Sequence, residues 1–169
     1  MTRPIREYLE MDPMSELSAS DVPTDRHYDG AHHLWAMRDP ASGRVRIGID
    51  AIGLEALGEL AYVAIESVSA SVVRGAAVGT LEAAKMTTSI AAPITGTIVA
   101  RNDDVLADPR RVNEDPYGAG WLLEIEPSMW DADAAELLSG DAVTPWAEAE
   151  INKLGAETEG PRGESSAAG

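Results

Sequence analysis

One lysine lies between two segments that both favour strands. Residues 78–84 and 87–92 are two strand-like runs of similar length, and Lys85-Met86 separates them. A hairpin built from these segments would hold the Lys85 amine at its tip, clear of the sheet, where a modifying enzyme could reach it. Taken alone, the pattern indicates either an ordinary surface lysine or a lysine that an enzyme modifies.

Three histidines raise the question of a metal site. His32 and His33 are consecutive, and consecutive residues of a strand point to opposite faces, so the two do not share a site easily. The sequence has no cysteine, which excludes thiolate metal sites, disulfides and cysteine nucleophiles. We therefore predict no metal centre, with His27, His32 and His33 as surface or partly buried polar residues.

The familiar arrangements of catalytic residues are also missing from the sequence. There is no recognisable Ser/His/Asp array, no phosphate-binding loop and no pair of carboxylates at a catalytic spacing. These observations favour a carrier or binding protein over an enzyme.

The composition describes an acidic globular chain. Among its 169 residues, 13 Lys and Arg oppose 29 Asp and Glu, which gives a net charge of −16, and 44% of the residues are hydrophobic. Such a chain is repelled by nucleic acids and by anionic membranes, and it holds no apolar run long enough for a membrane span. The first residues resemble neither a signal peptide nor a transit peptide. We expect a monomer in a bacterial cytoplasm.

The chain divides into three zones around a β-rich centre. Residues 1–26 are a polar, acidic N-terminal appendage, residues 27–154 form the domain with its C-terminal helices, and residues 155–169 are predicted to be a disordered tail. Asp50 can cap a short helix that Gly58 ends. Further strands are predicted at 33–38, 45–49, 60–65, 95–100 and 121–125, and further helices at 131–138 and 146–154.

Two segments resemble known carrier proteins. Residues 79–98 resemble the attachment hairpin of lipoyl and biotinyl carrier domains. The string Asn113-Glu114-Asp115-Pro116-Tyr117-Gly118-Ala119-Gly120-Trp121-Leu122 resembles the signature of the glycine cleavage system H protein family. Other landmarks of that family occur in the same order: His33-x-Trp35, Gly48-Ile49-Asp50, Ala56-Leu57-Gly58-Glu59-Leu60 and Gly96-x-Ile98-Val99-Ala100-Arg101-Asn102. The resemblance covers about residues 28–150.

This resemblance implies a fold, a cofactor and a set of residues. The fold would be mainly β, a barrel-sandwich hybrid with a short helix inside the domain and helices at the C-terminal end. Lys85 would carry lipoate as an amide, Glu82 would help to present the hairpin to the modifying enzyme, and His33 would line the cleft that holds the arm.

The resemblance also implies a function and partner enzymes. The protein would carry the aminomethyl group of glycine on a swinging lipoyl arm and would have no catalytic residues of its own. Its partners would be a lipoate ligase or lipoyl transferase, together with glycine decarboxylase, aminomethyltransferase and dihydrolipoamide dehydrogenase.

Some residues depart from the family pattern and leave alternatives open. Around the lysine the family commonly has Glu-Ser-Val-Lys-Ala-Ala-Ser-Asp, whereas this chain has Glu82-Ala83-Ala84-Lys85-Met86-Thr87-Thr88-Ser89. The stretch His32-His33-Leu34-Trp35 resembles lipoate-binding H-like proteins as closely as it resembles the glycine cleavage form. The alternatives are therefore an H-like lipoate carrier of another pathway, such as heterodisulfide-reductase-like sulfur oxidation, a biotinyl carrier, or an unmodified scaffold.

Overall fold

Nine strands and five α-helices make up the fold within the residues that the structure describes. The computed structural model describes the backbone of residues 17–168 and the side chains of residues 17–156. The strands are β1 (His27–Asp29), β2 (Leu34–Arg38), β3 (Val45–Ile49), β4 (Leu60–Ile65), β5 (Ser71–Val72), β6 (Ala77–Ala83), β7 (Thr87–Ala91), β8 (Gly96–Arg101) and β9 (Leu123–Pro127). The helices are α1 (Ala51–Leu57), α2 (Asp103–Ala107), α3 (Arg110–Glu114), α4 (Trp130–Ala134) and α5 (Val143–Ala168).

The strands form two antiparallel sheets. The larger sheet has the order β1-β2-β3-β9-β8-β5, and the smaller sheet has the order β4-β6-β7. The predicted mainly-β architecture, with a short helix inside the domain and helices at the C-terminal end, is confirmed. The two sheets form a sandwich and not a closed barrel.

Aliphatic side chains fill the space between the sheets. Buried residues of both sheets form one cluster, to which the strands contribute Ile47, Val63, Leu81, Ile98 and Ile125 among others. The chain has no phenylalanine, so valine, isoleucine and leucine supply this core. A second buried cluster contains Tyr28, Trp35 and Ile52 together with Val143 and Ala147 of α5.

The helix α1 follows the bounds that its capping residues predict. The Asp50 side chain accepts a hydrogen bond from the Gly53 N–H at 2.8 Å, which satisfies one of the free donors of the first turn. Gly58 ends the helix with a φ of +83°, in the left-handed region that favours glycine. The short helices α2 and α3 and the strands β1 and β5 were not predicted.

Both ends of the described chain differ from the expected outline. Val22 lies in the predicted appendage, yet it is 2% exposed and packs in the second cluster. At the other end, α5 continues past the predicted end at residue 154 and runs as helix to Ala168. Residues 1–16 lie outside the described residues, and the three-zone division remains a prediction.

Candidate functional site

Lys85 lies in the turn that joins β6 to β7. The two strands pair up to Glu82 opposite Thr87, and the Ala83 N–H donates to the Met86 carbonyl at 2.8 Å, which closes the turn. The Lys85 side chain is exposed, and its amine donates to the Glu55 carbonyl at 3.2 Å. The structure therefore places this lysine at the tip of a hairpin, as the sequence predicts.

The hairpin tip is docked on the end of α1. The Lys85 N–H donates to the Leu57 carbonyl at 3.1 Å, and the Ala84 N–H donates to the Glu59 carbonyl at 2.9 Å. The carbonyl of Leu57, at the C-terminus of α1, has no partner inside the helix, so the bond from Lys85 satisfies a group that α1 leaves free. A Cβ at Gly58 would lie 3.2 Å from the Ala84 Cβ, so glycine permits this close approach. The backbone at Lys85 is fixed while its side chain remains exposed.

The segment 113–122, which carries the family signature, forms hydrogen bonds at both ends of α1. The Asn113 side chain accepts from the Leu60 N–H at 2.9 Å and donates to the Gly58 carbonyl at 3.1 Å, just past the helix C-terminus. At the other end, the Tyr117 hydroxyl accepts from the Ala51 N–H at 2.8 Å. This loop fixes α1, and α1 in turn supports the turn that carries Lys85.

Trp35 of β2 anchors the same loop to the larger sheet. The Trp35 indole N–H donates to the Pro116 carbonyl at 3.0 Å, and a Cβ at Gly48 would lie only 2.5 Å from the Trp35 ring. The Arg26 guanidinium lies 4.7 Å from the centre of the Trp35 ring and 5.2 Å from that of Tyr117. Sequence reasoning missed Arg26, which lies in the predicted appendage, because no local pattern links it to this loop.

A cavity of about 230 Å³ lies beside the hairpin, and we call it the arm cavity. Residues of α1, the hairpin and the start of β2 surround it. Its wall includes the apolar side chains of Leu34, Ile49, Leu57, Leu81 and Ile90. His33 and Met86 also line it. The role predicted for His33, lining a cleft that holds the arm, stays a prediction.

His33 joins three parts of the chain. Its Nδ1 lies 3.3 Å from the Asp50 carboxylate, which is fully buried at the start of α1, and its Nε2 lies 3.2 Å from the Glu150 carboxylate on α5. The ring also lies 5.6 Å from that of Trp146. The link to Glu150 was not predicted, although the four-residue spacing of Trp146 and Glu150 places both on one helix face.

The two carboxylates change the protonation of His33. Burial is the largest single effect and lowers the pKa, but the hydrogen bonds and negative charges of Asp50 and Glu150 together outweigh it and raise the pKa above 6.5. A raised pKa in the folded state means that protonated His33 stabilises the fold at pH values below its unfolded pKa. This stabilisation is lost as the pH rises through the folded pKa.

We expect the His33→Gln substitution to remove this pH dependence. The wild type should be more stable than the variant, and the difference in their free energies of unfolding should be largest at about pH 5.5. It should shrink as the pH rises toward about pH 8.5. Urea denaturation at several pH values measures it. His27, whose pKa burial lowers, contributes with the opposite sign but is present in both proteins and cancels. A difference independent of pH would contradict the predicted protonation.

The other predicted residues take no part in the ion pairs of His33 with Asp50 and Glu150. Glu82 is exposed on β6, three residues before Lys85. His32 pairs with Asp29 at 2.9 Å, and the His27 ring contacts that of Trp130 edge to face at 5.0 Å. Within the part of the chain that the structure describes, no group of three or more His, Asp or Glu side chains is arranged to hold a metal.

The sandwich and its lysine-tipped hairpin define the class of protein that carries a cofactor on a swinging arm. A family model described as the glycine cleavage H-protein matches residues 26–150. The chain belongs to the glycine cleavage H-protein family.

Similar proteins support the same family. The glycine cleavage system H protein of Mycobacterium avium (strain 104) is 40% identical over 131 residues, which cover 78% of this chain and 93% of the relative. The H protein of Beutenbergia cavernae is 40% identical over 121 residues, 72% of this chain and 92% of the relative. The crystal structure of the Mycobacterium marinum H protein superposes with a TM-score of 0.65 at 35% identity and covers 73% of this chain and 97% of that one.

Family membership fixes the general role of the chain. Its function is that of a lipoyl carrier in glycine cleavage, a carrier and not a catalyst. The alternative role in sulfur oxidation is not favoured, since these relatives are all named as glycine cleavage H proteins. No helix within the described residues is both long and apolar enough to span a membrane.

Proposed function

We propose that Lys85 carries lipoate as an amide and that the chain transfers the aminomethyl group of glycine between partner enzymes on this arm. The observation that carries the proposal is the position of Lys85, exposed at the tip of a hairpin whose backbone is fixed on α1. Lipoate, when attached, supplies a strained disulfide that can be reduced and a thiol that can hold a one-carbon group.

The residues around the lysine fit such an arm. Fixing the tip through the Ala84 and Lys85 N–H groups orients the side chain without enclosing it, so an enzyme can reach the amine. The arm cavity opens beside the tip, and Met86, which is 53% exposed, forms part of its apolar rim. We propose that His33 lines the seat of the arm and that exposed Glu82 helps a lipoate ligase or lipoyl transferase to recognise the hairpin.

The proposed partners are the three other components of glycine cleavage. A pyridoxal-phosphate glycine decarboxylase would load the arm, a tetrahydrofolate-dependent aminomethyltransferase would unload it, and dihydrolipoamide dehydrogenase would reoxidise it. The chain itself would contribute position and access, and we propose that it supplies no acid or base to any of these reactions.

Reconstitution of the pathway tests this proposal. Lipoylated protein mixed with the three enzymes, glycine and tetrahydrofolate should support NADH formation that depends on glycine. Unlipoylated protein in the same mixture is the control and should support none. If fully lipoylated protein fails while an H protein of known activity succeeds with the same enzymes, the glycine cleavage assignment is wrong.

A further inference from the structure

A second cavity lies beside the hairpin that joins β2 to β3. Its volume is about 560 Å³, within the range of about 300–1,000 Å³ that is typical of small-ligand sites. Among the described residues, it shares none with the arm cavity: Leu34 at the start of β2 lines the arm cavity, whereas Met37 and Arg38 at the end of β2 line the second one. Because four arginines line it, we call it the arginine cavity: Arg26, Arg38, Arg44 and Arg46.

The arginine cavity is a positively charged site on a strongly negative protein. Four of the 13 Lys and Arg residues line it, whereas, of the acidic residues that the structure describes, only Asp39 and Glu124 do. Four positive and two negative side chains give this wall a formal net charge of +2, while the whole chain has a net charge of −16. A small anion is attracted by the wall, but a long acidic chain would also meet the negative charge of the surrounding surface. The charge pattern therefore favours a small anion as the occupant.

Two of the four arginines are neutralised by carboxylates of the chain itself. Nη2 of Arg46 lies 2.8 Å from the Glu124 carboxylate, and Nε of Arg26 lies 2.8 Å from the carboxylate of Asp25. The Arg26 side chain is also 8% exposed, so it is a fixed part of the wall. These ion pairs leave Arg38 and Arg44 as the cations that a ligand can meet.

Arg38 and Arg44 are exposed arginines on one hairpin. Within the part of the chain that the structure describes, neither forms an ion pair, and the Arg38 guanidinium makes a single long hydrogen bond, from Nε to the Gly43 carbonyl at 3.5 Å. The Asp39 N–H donates to the Arg44 carbonyl at 2.8 Å, which holds the two ends of the loop together. A guanidinium can donate two parallel hydrogen bonds to a carboxylate or a phosphate. Two such groups on one wall can bind an anion with more than one negative charge.

We propose that the arginine cavity binds a small anion with two or more negative charges, a phosphate compound or a di- or tricarboxylate, through Arg38 and Arg44. Met37, which is 38% exposed in the same wall, contacts the uncharged part of the ligand. The site is separate from Lys85, so binding requires neither lipoate nor a partner enzyme. The proposal goes beyond the proposed function and does not depend on it.

NMR of the methionine methyl groups in the full chain tests this proposal. The chain is titrated with citrate, pyrophosphate or acetate at constant ionic strength, because salt screens such contacts. We expect a saturable shift of the Met37 methyl resonance with citrate and pyrophosphate, and binding of acetate about tenfold weaker. The Met86 methyl, which lies in the wall of the arm cavity, should not shift. Tighter binding of pyrophosphate would identify a phosphate ligand, and tighter binding of citrate a carboxylate ligand.

Matched variants test the residues. Arg38→Gln and Arg44→Gln should each weaken citrate binding about fivefold. Arg74→Gln removes the same charge from an exposed position outside the cavity wall and should leave binding unchanged. Glu124→Gln releases Arg46 from its ion pair and should strengthen binding about threefold. A gain of binding in this variant cannot result from a loss of folded protein.

Three results would overturn the proposal. Citrate and pyrophosphate might both fail to give a saturable shift, in which case the cavity is not an anion site. Equal weakening by Arg74→Gln and Arg44→Gln would mean that only the overall charge of the protein matters. Tighter binding of a capped triglutamate peptide, which has the same charge as citrate, would mean that the cavity docks an acidic peptide segment and not a small ligand.

Discussion

Lys85→Arg is expected to abolish lipoylation completely. A guanidinium keeps the positive charge and the length of the side chain, but it stays protonated and provides no free amine to acylate. Intact-mass measurement after co-expression with a lipoate ligase should show the lipoyl increment on wild type and only the unmodified mass on the variant. Glycine-dependent NADH formation should be lost with it.

The sequence offers a matched control for this experiment. Lys153 is the one other lysine of the chain, and it lies on α5 beside Glu150. Lys153→Arg should be lipoylated at the wild-type rate. Glu82→Gln should still be modified, but more slowly, if the exposed carboxylate helps recognition. Lipoate on Lys85→Arg would refute the site, and a biotin increment on wild type would refute the cofactor.

The parts of the fold that local chemistry determines were predictable from the sequence. Asp50 and Gly58 bound α1 because a side-chain cap and a left-handed glycine are local features. The bounds predicted for β3 and β4 are those of the structure, since apolar strand-forming runs between turn residues are also local. The position of Lys85 at a hairpin tip follows from the same reasoning.

The parts that were missed depend on contacts between distant segments. The strand β1 has three residues and is held by β2 and by a bridge from Tyr28 to Leu138. The helices α2 and α3 have five residues each, too short for a helical periodicity to show. Contacts of His33 with Glu150 and of Arg26 with Tyr117 join segments that are far apart in the chain, so no spacing in the sequence indicates them.

The segment 113–122 shows what a sequence signature leaves out. Its residues identify the family, yet their spacing alone does not say what they contact. In the structure Asn113 and Tyr117 form hydrogen bonds at the two ends of α1. The C-terminal end of α1 in turn accepts a hydrogen bond from the turn that carries Lys85. The signature therefore acts on the lysine through a helix and not by direct contact.

This chain of contacts predicts a large effect of Asn113→Ala on stability. The substitution leaves the Leu60 N–H and the Gly58 carbonyl without their partners in a partly buried site. A fully buried unsatisfied group costs about 1–3 kcal/mol, and these two groups are only partly buried, so we expect the free energy of unfolding to fall by about 2–4 kcal/mol. Urea denaturation measures it. Asn113→Asp keeps an acceptor for the Leu60 N–H but puts a second acceptor against the Gly58 carbonyl, so it should also lower the free energy of unfolding.

The same substitution should loosen the turn that carries Lys85. Because Asn113 fixes the junction of α1 and β4, its loss should speed the amide exchange of Ala84 and Lys85, whose N–H groups bond to carbonyls at that junction. Glu114→Ala, at the exposed neighbouring position, is the control and should change neither stability nor exchange appreciably. Asn113→Ala could instead lower the stability without changing the amide exchange of residues 84 and 85. That result would mean that segment 113–122 stabilises the core but does not fix the hairpin.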